Sequence, residues 1–195
     1  MNFLAHLYFA DGTTESRLGN IMADFVKGTT ATDGLGPAIV EGINKHRSVD
    51  RFTDAHETVK ASKGLISSKR RRFAGIIVDV CYDHFLARNW PSFASTELPV
   101  FAQEVYTSFR EYSGDLPVTM RQMLHYMIEQ NWLVSYGTTS GIARALDGLS
   151  SRIRRENTLA GAVEELEEHH EEMERHFLAF FPDLMRHIDR SYSES

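Results

Sequence analysis

The spacing of apolar residues restricts the fold of this chain more than any other feature of its sequence. Apolar side chains recur at three- and four-residue intervals in most segments, and the alternate-residue pattern of strands is scarce. Proline and glycine, of which the chain has 5 and 13, mostly separate these segments. The sequence therefore predicts an all-α protein, with residues 1–195 forming a single-domain bundle of about seven or eight helices.

Breakers and capping residues set the approximate bounds of these helices. We expect a buried first segment at about 2–10, then helices at about 13–27, 37–63, 69–88, 99–112, 117–136 and 140–150, and an acidic one from about 158. Thr29 to Gly36 is predicted to be a loop because threonine, aspartate and glycine dominate it. Pro182 is expected to end or kink the last helix, since proline lacks the backbone N–H.

Composition excludes several classes of protein. Hydrophobic residues make up 42% and charged residues 25%, as is ordinary for a globular domain. No apolar run approaches the roughly 20 residues of a membrane span, and the N-terminus lacks the features of a signal peptide. The lone cysteine, Cys81, lies in an apolar run, where we expect it to be buried. These features predict a cytoplasmic protein.

Charge is distributed unevenly along the chain. The net charge is −6, and the glutamates between Glu164 and Glu174 account for all of it, so the rest is close to neutral. Basic clusters lie at 69–72 and 152–155. Neither is large enough to indicate a nucleic-acid-binding protein, but either suits an acidic protein partner.

Three predicted helices carry polar residues four positions apart, which places both on one helix face. The pairs are Asn20 with Asp24, His46 with Asp50, and Asp79 with Asp83, the last followed directly by His84. Helical bundles build metal sites from such pairs on facing helices. A divalent cation would also relieve the burial and mutual repulsion of Asp79 and Asp83 on an apolar face. The alternative is a pair of buried salt bridges, for example to Arg47 or Arg88.

Further candidates each have a structural alternative. His46 and Asp50 can ligate a metal while Arg47 holds a phosphate oxygen, or they can belong to a solvated face. His6, in an apolar segment, is either a ligand or a satisfied core residue. Asp24 is either a ligand or an aspartate bonded to nearby backbone; Gly19, about one turn earlier, permits close approach of another segment.

The sequence contains no glycine-rich phosphate loop, no Gly-x-Ser-x-Gly elbow and no cysteine pair. The available ligands are therefore oxygen and imidazole, which suit Mn²⁺, Mg²⁺ or Fe²⁺. Hydrolysis of a phosphate ester is a natural use of such a metal.

At these residues the chain resembles the acyl carrier protein phosphodiesterase family. The matching pieces run along nearly the whole chain: Met1-Asn2-Phe3-Leu4-Ala5-His6-Leu7, Leu18-Gly19-Asn20, Ala23-Asp24-Phe25-Val26-Lys27-Gly28, Gly42-Ile43, His46-Arg47, Asp50, Thr53-Asp54, Asp79-Val80, Asp83-His84-Phe85-Leu86, Asn131-Trp132-Leu133-Val134, Tyr136, Ser151-Arg152, His169 and Phe180-Phe181-Pro182.

The resemblance implies hydrolysis of the phosphodiester that joins 4′-phosphopantetheine to a serine of acyl carrier protein. It implies a divalent metal, preferably Mn²⁺, and an all-helical fold like that of the HD phosphohydrolases. Those proteins carry an adjacent His-Asp pair, whereas this chain has Asp83-His84 in the reverse order.

The resemblance also implies the site. Near the metal we expect Asp24, His46, Asp83 and His84, with His6, Asp50 and Asp79 as further ligands or orienting groups; Asp24, His46, Arg47 and Asp83 are the expected catalytic residues. Arg47 would hold the phosphate. The basic cluster Lys69, Arg70, Arg71 and Arg72 is the expected docking site for the acidic carrier protein.

Two other functions fit the same residues. One is a metal-dependent phosphohydrolase acting on nucleotides or other small phosphate esters, without a protein partner. The other is a non-enzymatic helical binding protein, in which the polar pairs are buried ion bridges.

Overall fold

The computed structural model describes residues 1–26, 28 and 32–192. Within these residues there are eleven α-helices and no strand, which confirms the all-α prediction. Eight of the helices span nine residues or more, in agreement with the predicted number. They are α1 (Phe3–Tyr8), α2 (Thr14–Met22), α3 (Pro37–Ala55), α4 (Glu57–Leu65), α5 (Ala74–Arg88), α6 (Leu98–Glu111), α7 (Val118–Glu129), α8 (Trp132–Ser135), α9 (Thr139–Arg152), α10 (Val163–Glu168) and α11 (His170–Tyr192).

Three of the predicted helices are each two helices in the structure. His56 is extended, with ψ 131°, and its side chain accepts a hydrogen bond from Thr58 N, so it ends α3 and caps α4. Asn131 is left-handed, with φ 47°, and separates α7 from α8. His169 separates α10 from α11. Helical periodicity continues across such single-residue breaks, and the sequence pattern therefore does not reveal them.

Two predicted boundaries were also wrong, and so was one of the two alternatives predicted for Pro182, namely that it ends the last helix. The second helix ends at Met22 rather than near Lys27, a residue outside those described. Helix α5 begins at Ala74 rather than near residue 69, after a 3₁₀ turn at Arg71–Phe73. Pro182 lies inside α11 and does not end it. Leu178, whose carbonyl loses its partner, is 42% exposed, and water can satisfy it there. The predicted loop from Thr29 lies partly outside the described residues.

Glycines hold α2 against α3. A Cβ on Gly42 would lie 2.6 Å from the carbonyl oxygen of Ser16, and one on Gly19 would meet the Ile39 carbonyl. No larger residue fits either position unless the helices separate. This close approach confirms the expectation for Gly19, and it brings the backbone of α2 within reach of side chains on α3.

The core surrounds α5, which contacts α1, α4, α9 and α11. Most of α5 is buried, including Cys81, as predicted. Tyr8 and three phenylalanines pack as an aromatic cluster, with ring centroids 4.8–5.3 Å apart for the pairs Tyr8–Phe181, Phe93–Phe181 and Phe177–Phe181. None of the described helices has the length and apolar character needed to cross a membrane.

Candidate active site

Five of the predicted site residues converge beside the middle of α3. His6 comes from α1, His46 and Asp50 from α3, Asp24 from the turn after α2, and Asp79 from α5. We call these five residues the His/Asp cluster. Because they come from four parts of the chain, only the tertiary structure assembles them.

His46 is oriented by the backbone of α2. Its Nδ1 lies 2.7 Å from the carbonyl oxygen of Asn20 and donates to it. Its other nitrogen, Nε2, then points at two carboxylates, with Asp50 Oδ2 at 3.1 Å and Asp24 Oδ1 at 3.6 Å. Because Nδ1 is engaged by the backbone, Nε2 is the ring nitrogen that faces the carboxylates.

His6 lies directly against His46. The two rings stack at a centroid distance of 3.7 Å and an interplanar angle of 14°. His6 Nε2 is 3.2 Å from the carbonyl oxygen of Met1 and 3.3 Å from Asp50 Oδ1, while its buried Nδ1 has no partner among the described residues. Burial, and then repulsion from His46, lower the pKa of His6 to about 3, so this ring is neutral at pH 7.

Asp50 is the carboxylate shared by both rings. Burial disfavours its charge, but hydrogen bonds from His46 and His6 outweigh burial and hold its pKa well below the usual range. Its side chain is 42% exposed, so the cluster opens to solvent at this residue. Asp50 is therefore ionised and accessible.

The pKa values of the two remaining carboxylates, Asp24 and Asp79, are shifted upward instead. Burial raises the pKa of Asp24, and Asp50 adds to this by repulsion. Burial also raises the pKa of Asp79, although the amino group of Met1, 3.0 Å from its Oδ1, opposes the shift. Three carboxylates therefore surround two imidazoles, one of them the neutral ring of His6, and one amine. Their charges are only partly balanced.

The donor atoms fit a divalent cation. One ligand atom from each of His6, His46 and Asp50 lies within 4.8 Å of the others. Ligands on opposite sides of an ion with bonds of about 2.1 Å are about 4.2 Å apart, so small side-chain adjustments suffice. Nitrogen and carboxylate donors suit Mn²⁺, Mg²⁺ or Fe²⁺. The unpartnered ring nitrogen and the excess of carboxylates both favour a bound cation.

Asp83 has a different role from the one its spacing predicted. It is fully buried, and its oxygens accept hydrogen bonds from the backbone N–H groups of Leu4 at 2.7 Å and Ala5 at 3.2 Å. These groups begin α1 and have no partner within that helix. Asp83 therefore anchors the helix that carries His6 and does not join the cluster.

His84 also points away from the cluster. Its Nδ1 lies 2.7 Å from the carbonyl oxygen of Tyr136, and its ring is 5.8 Å from that of His170. Two residues that are adjacent on a helix point in directions about 100° apart, so Asp83 and His84 do not share one site.

Arg47 is half-buried and makes no ion pair among the described residues. No carboxylate therefore neutralises its guanidinium there, and its role in holding a phosphoryl oxygen stays a prediction.

The predicted docking cluster needs one correction. Arg70 is buried and bound to Glu164 at 3.0 Å and Glu165 at 3.2 Å, so it cannot meet a partner. Lys69, Arg71 and Arg72 are exposed. The sequence of a basic run does not indicate which of its long side chains turns inward.

The structure brings the second basic cluster next to the first. The guanidinium groups of Arg72 and Arg155 lie 5.9 and 5.7 Å from the same Phe73 ring. We call the exposed basic residues of the two clusters the basic patch: Lys69, Arg71, Arg72, Arg152, Arg154 and Arg155.

A small pocket beside the cluster was not predicted. It has a volume of about 70 Å³, and its lining includes Asn2, Phe3, Trp132 and Tyr136 as well as one face of α9. The apolar residues that follow Trp132 in the sequence are typical of a core position. The available signal was the small residues of α9, Gly141, Ala145 and Gly148, which share one helix face.

Proteins of similar sequence show the family of this chain. Residues 1–184 match the family described as acyl carrier protein phosphodiesterase. The chain is 37% identical over 186 residues to the acyl carrier protein phosphodiesterase of Yersinia enterocolitica, covering 95% of this chain and 96% of that protein. No solved structure matches, so the HD-phosphohydrolase-like fold stays a prediction.

Two further relatives carry the same description. The protein of Serratia proteamaculans is 37% identical over 187 residues, covering 95% of this chain and 96% of the relative. That of Escherichia coli K12 is 34% identical over 194 residues, covering 97% and 98%. On this evidence the chain belongs to the acyl carrier protein phosphodiesterase family.

Proposed function

We propose that this protein hydrolyses the phosphodiester between 4′-phosphopantetheine and the serine of holo acyl carrier protein, releasing the apo carrier protein. Family membership supports the reaction. The convergence of His6, His46 and Asp50 on one point supports this location for it. A phosphodiester carries negative charge and needs positive charge in its site, which the carboxylates do not supply.

A divalent cation, Mn²⁺ in the first place, is therefore part of the proposal. His6, His46 and Asp50 would hold it, with Asp24 and Asp79 beside them. When bound, such an ion stabilises the negative charge that builds up on the phosphoryl oxygens.

The surrounding residues position these groups. The Asn20 carbonyl fixes the ring of His46, and Asp83 fixes the start of α1, on which His6 lies. Arg47, next to His46, is placed to hold a phosphoryl oxygen through its planar fork. Asp24, with its raised pKa and a half-exposed side chain, is suited to exchange a proton with solvent or substrate.

The basic patch is the proposed docking surface for the carrier protein. Its members come from two segments that meet at Phe73, and the Thr158 hydroxyl, 3.3 Å from the Lys69 carbonyl, ties these segments together. An acidic partner approaching this surface gains long-range attraction, which raises the association rate and orients the encounter.

The test is a mass measurement on holo acyl carrier protein. The protein is mixed with the carrier and Mn²⁺, and with chelator in a parallel reaction. Loss of the phosphopantetheine mass only with metal is the expected result. His46→Ala should abolish the loss, whereas the matched control His125→Ala, an exposed histidine on α7, should not.

Retention of the prosthetic group with every metal would contradict the proposal. Hydrolysis of nucleotides or other small phosphate esters in the same assays would then favour a small-molecule phosphohydrolase using the same cluster. If wild-type protein neither hydrolyses any ester nor changes on metal addition, the binding-protein function is favoured.

A further inference from the structure

We propose that the pocket between Asn2, Phe3 and α9 holds the pantetheine arm of the substrate, at the end nearest the phosphate. This rests on the proposed function, which assigns the phosphodiester to the His/Asp cluster. The pocket provides the shape and the polar groups that the arm requires.

Position is the first argument. Asn2 and Phe3 line the pocket and directly follow Met1, whose carbonyl oxygen is 3.2 Å from His6 Nε2. The pocket and the cluster therefore lie on either side of one residue. A group attached to a phosphate in the cluster reaches the pocket within a few bonds.

Shape is the second argument. The α9 side of the pocket is lined by Gly141, Ala145 and Gly148, so that face presents little side-chain bulk. Phe3 and Trp132, whose ring centroids are 6.1 Å apart, form an aromatic wall. An apolar group between an aromatic wall and small residues loses its contact with water.

The polar groups match an amide. Asn2 Nδ2 lies 3.3 Å from the hydroxyl of Tyr136, and the side-chain amide of Gln130 is at the same pocket. The pantetheine arm carries a hydroxyl and amides, which need donors and acceptors where they leave water. Asn2, Gln130 and Tyr136 provide both kinds of group.

Size selects the part of the arm. The volume of about 70 Å³ is less than half of the ~150 Å³ cavity that holds benzene, so neither a fatty acyl chain nor the whole arm fits. The compact pantoyl portion, with two methyl groups on one carbon, is next to the phosphate. Its two methyl groups are smaller than benzene and are therefore the part that the pocket encloses, while the rest of the arm and any acyl chain on the thiol remain outside.

Two arginines complete the site. Arg144 and Arg152 line the pocket and are exposed, and the guanidinium of Arg152 lies 5.3 Å from the Trp132 ring. Arg152 also belongs to the basic patch. The cluster, the pocket and the docking surface are thus continuous, as a substrate consisting of a protein and its attached arm requires.

The test replaces Gly148, on the α9 side of the pocket, by residues whose side chains occupy the pocket. A Cβ at Gly148 meets only Arg152 Nη2, at 3.5 Å, which is an ordinary contact, so a side chain grows into the pocket without backbone strain. Gly148→Leu should weaken binding of 4′-phosphopantetheine roughly tenfold or more by calorimetry, and Gly148→Ala less so. Binding of inorganic phosphate should not change.

The matched control is Gly64→Leu, at a helical glycine with no atom within 4 Å of its Cβ position. It should bind 4′-phosphopantetheine as the wild type does. Thermal unfolding of each variant establishes that it is folded. If folded Gly148→Leu binds 4′-phosphopantetheine as tightly as Gly64→Leu, the proposal is overturned.

A truncated ligand tests which part of the arm is bound. 4′-Phosphopantothenate keeps the pantoyl portion and lacks the thiol end, so its binding should be as sensitive to Gly148→Leu as that of the full arm. Equal binding of this ligand by Gly148→Leu and Gly64→Leu would overturn the pantoyl assignment.

Hydrolysis of bis(4-nitrophenyl) phosphate separates this proposal from the proposed function, because that ester needs the cluster but has no pantetheine arm. Gly64→Leu should retain this activity. Wild-type protein that binds 4′-phosphopantetheine in a Gly148-dependent manner but releases none from holo carrier protein would contradict the proposed function alone.

Discussion

Two groups of polar side chains occupy the interior of this bundle, and they differ in how completely they satisfy one another. The first surrounds Glu165, which is 2% exposed. Its oxygens accept from both the hydroxyl and the backbone N–H of Ser67 and from Arg70 Nη1 at 3.2 Å. Arg70 also donates to the carbonyls of Thr158 and Gly161. The polar groups of this network therefore satisfy one another.

The His/Asp cluster is open by comparison. Three carboxylates face two imidazole rings, a histidine nitrogen lacks a partner among the described residues, and Asp50 is 42% exposed. Burying unbalanced charge costs free energy, and a protein retains such a site only where something else completes it. The difference supports a structural role for the Glu165 network and the proposal that the cluster binds a ligand.

The largest expected effect is on catalysis, at Asp50. Asp50→Asn removes the carboxylate shared by both histidines, and a metal supplies several kcal/mol of charge stabilisation, so hydrolysis of holo carrier protein should fall on the order of 10³-fold. Stability should change little, since the cluster also loses repulsion. Steady-state kinetics and thermal unfolding measure the two effects.

Asp54→Asn is the matched control, because Asp54 lies on the same helix and is 75% exposed, paired with Lys63. Equal losses of activity in the two variants would remove the distinction between cluster and surface.

Substitution of Arg70 should lower stability and leave catalysis unchanged. Arg70→Met leaves the buried Glu165 carboxylate without its cation, which should lower the free energy of unfolding by about 3–5 kcal/mol. Activity per folded molecule should be unchanged. Denaturant unfolding measures the loss, with Arg71→Met, at an exposed neighbour, as control. A loss of activity without a loss of stability would mean that Arg70 belongs to the site.

The basic patch should affect the encounter alone. Arg72→Glu combined with Arg155→Glu reverses two charges around Phe73 and should lower kcat/KM for holo carrier protein about tenfold at low salt. The difference should shrink as salt rises, and hydrolysis of bis(4-nitrophenyl) phosphate should be unaffected. An effect independent of salt would contradict electrostatic docking.

The smallest expected effect is in how stability depends on pH, and it has opposite signs at Glu165 and Asp83. Burial opposes ionisation of Glu165, but hydrogen bonds from Ser67 and the charge of Arg70 hold its pKa below the usual value. Its contribution is therefore present above pH 4.5 and is lost as pH falls. Burial raises the pKa of Asp83 to about 7 despite hydrogen bonds from Leu4 and Ala5, so stability is lost there as pH rises from about 4 to 7.

Unfolding of Glu165→Gln and Asp83→Asn across pH checks these signs. The destabilisation caused by Glu165→Gln should decrease below pH 4.5. That caused by Asp83→Asn should increase as pH falls from about 7 to about 4. Parallel curves for the two variants would show that the two carboxyl groups do not differ in this way.

Local pattern was enough to predict part of this molecule. Spacing within one helix was enough to predict the all-α class, the buried Cys81, the helix start at Pro37 and the shared face of His46 and Asp50. The repeat of 3.6 residues determines which side chains on a helix are neighbours. The resemblance to a family was likewise visible in the sequence, because it depends on residue order.

The tertiary structure alone decided which candidates meet. Asp79 and Asp83 share a helix face, yet one joins the cluster beside Met1 and the other holds the backbone of α1. Arg70 turns inward while its basic neighbours stay exposed. These outcomes depend on which helix packs against each residue, and a helical repeat within one segment carries no information about its neighbours. For that reason the sequence by itself determined the helices and the supply of ligands, whereas packing determined the site.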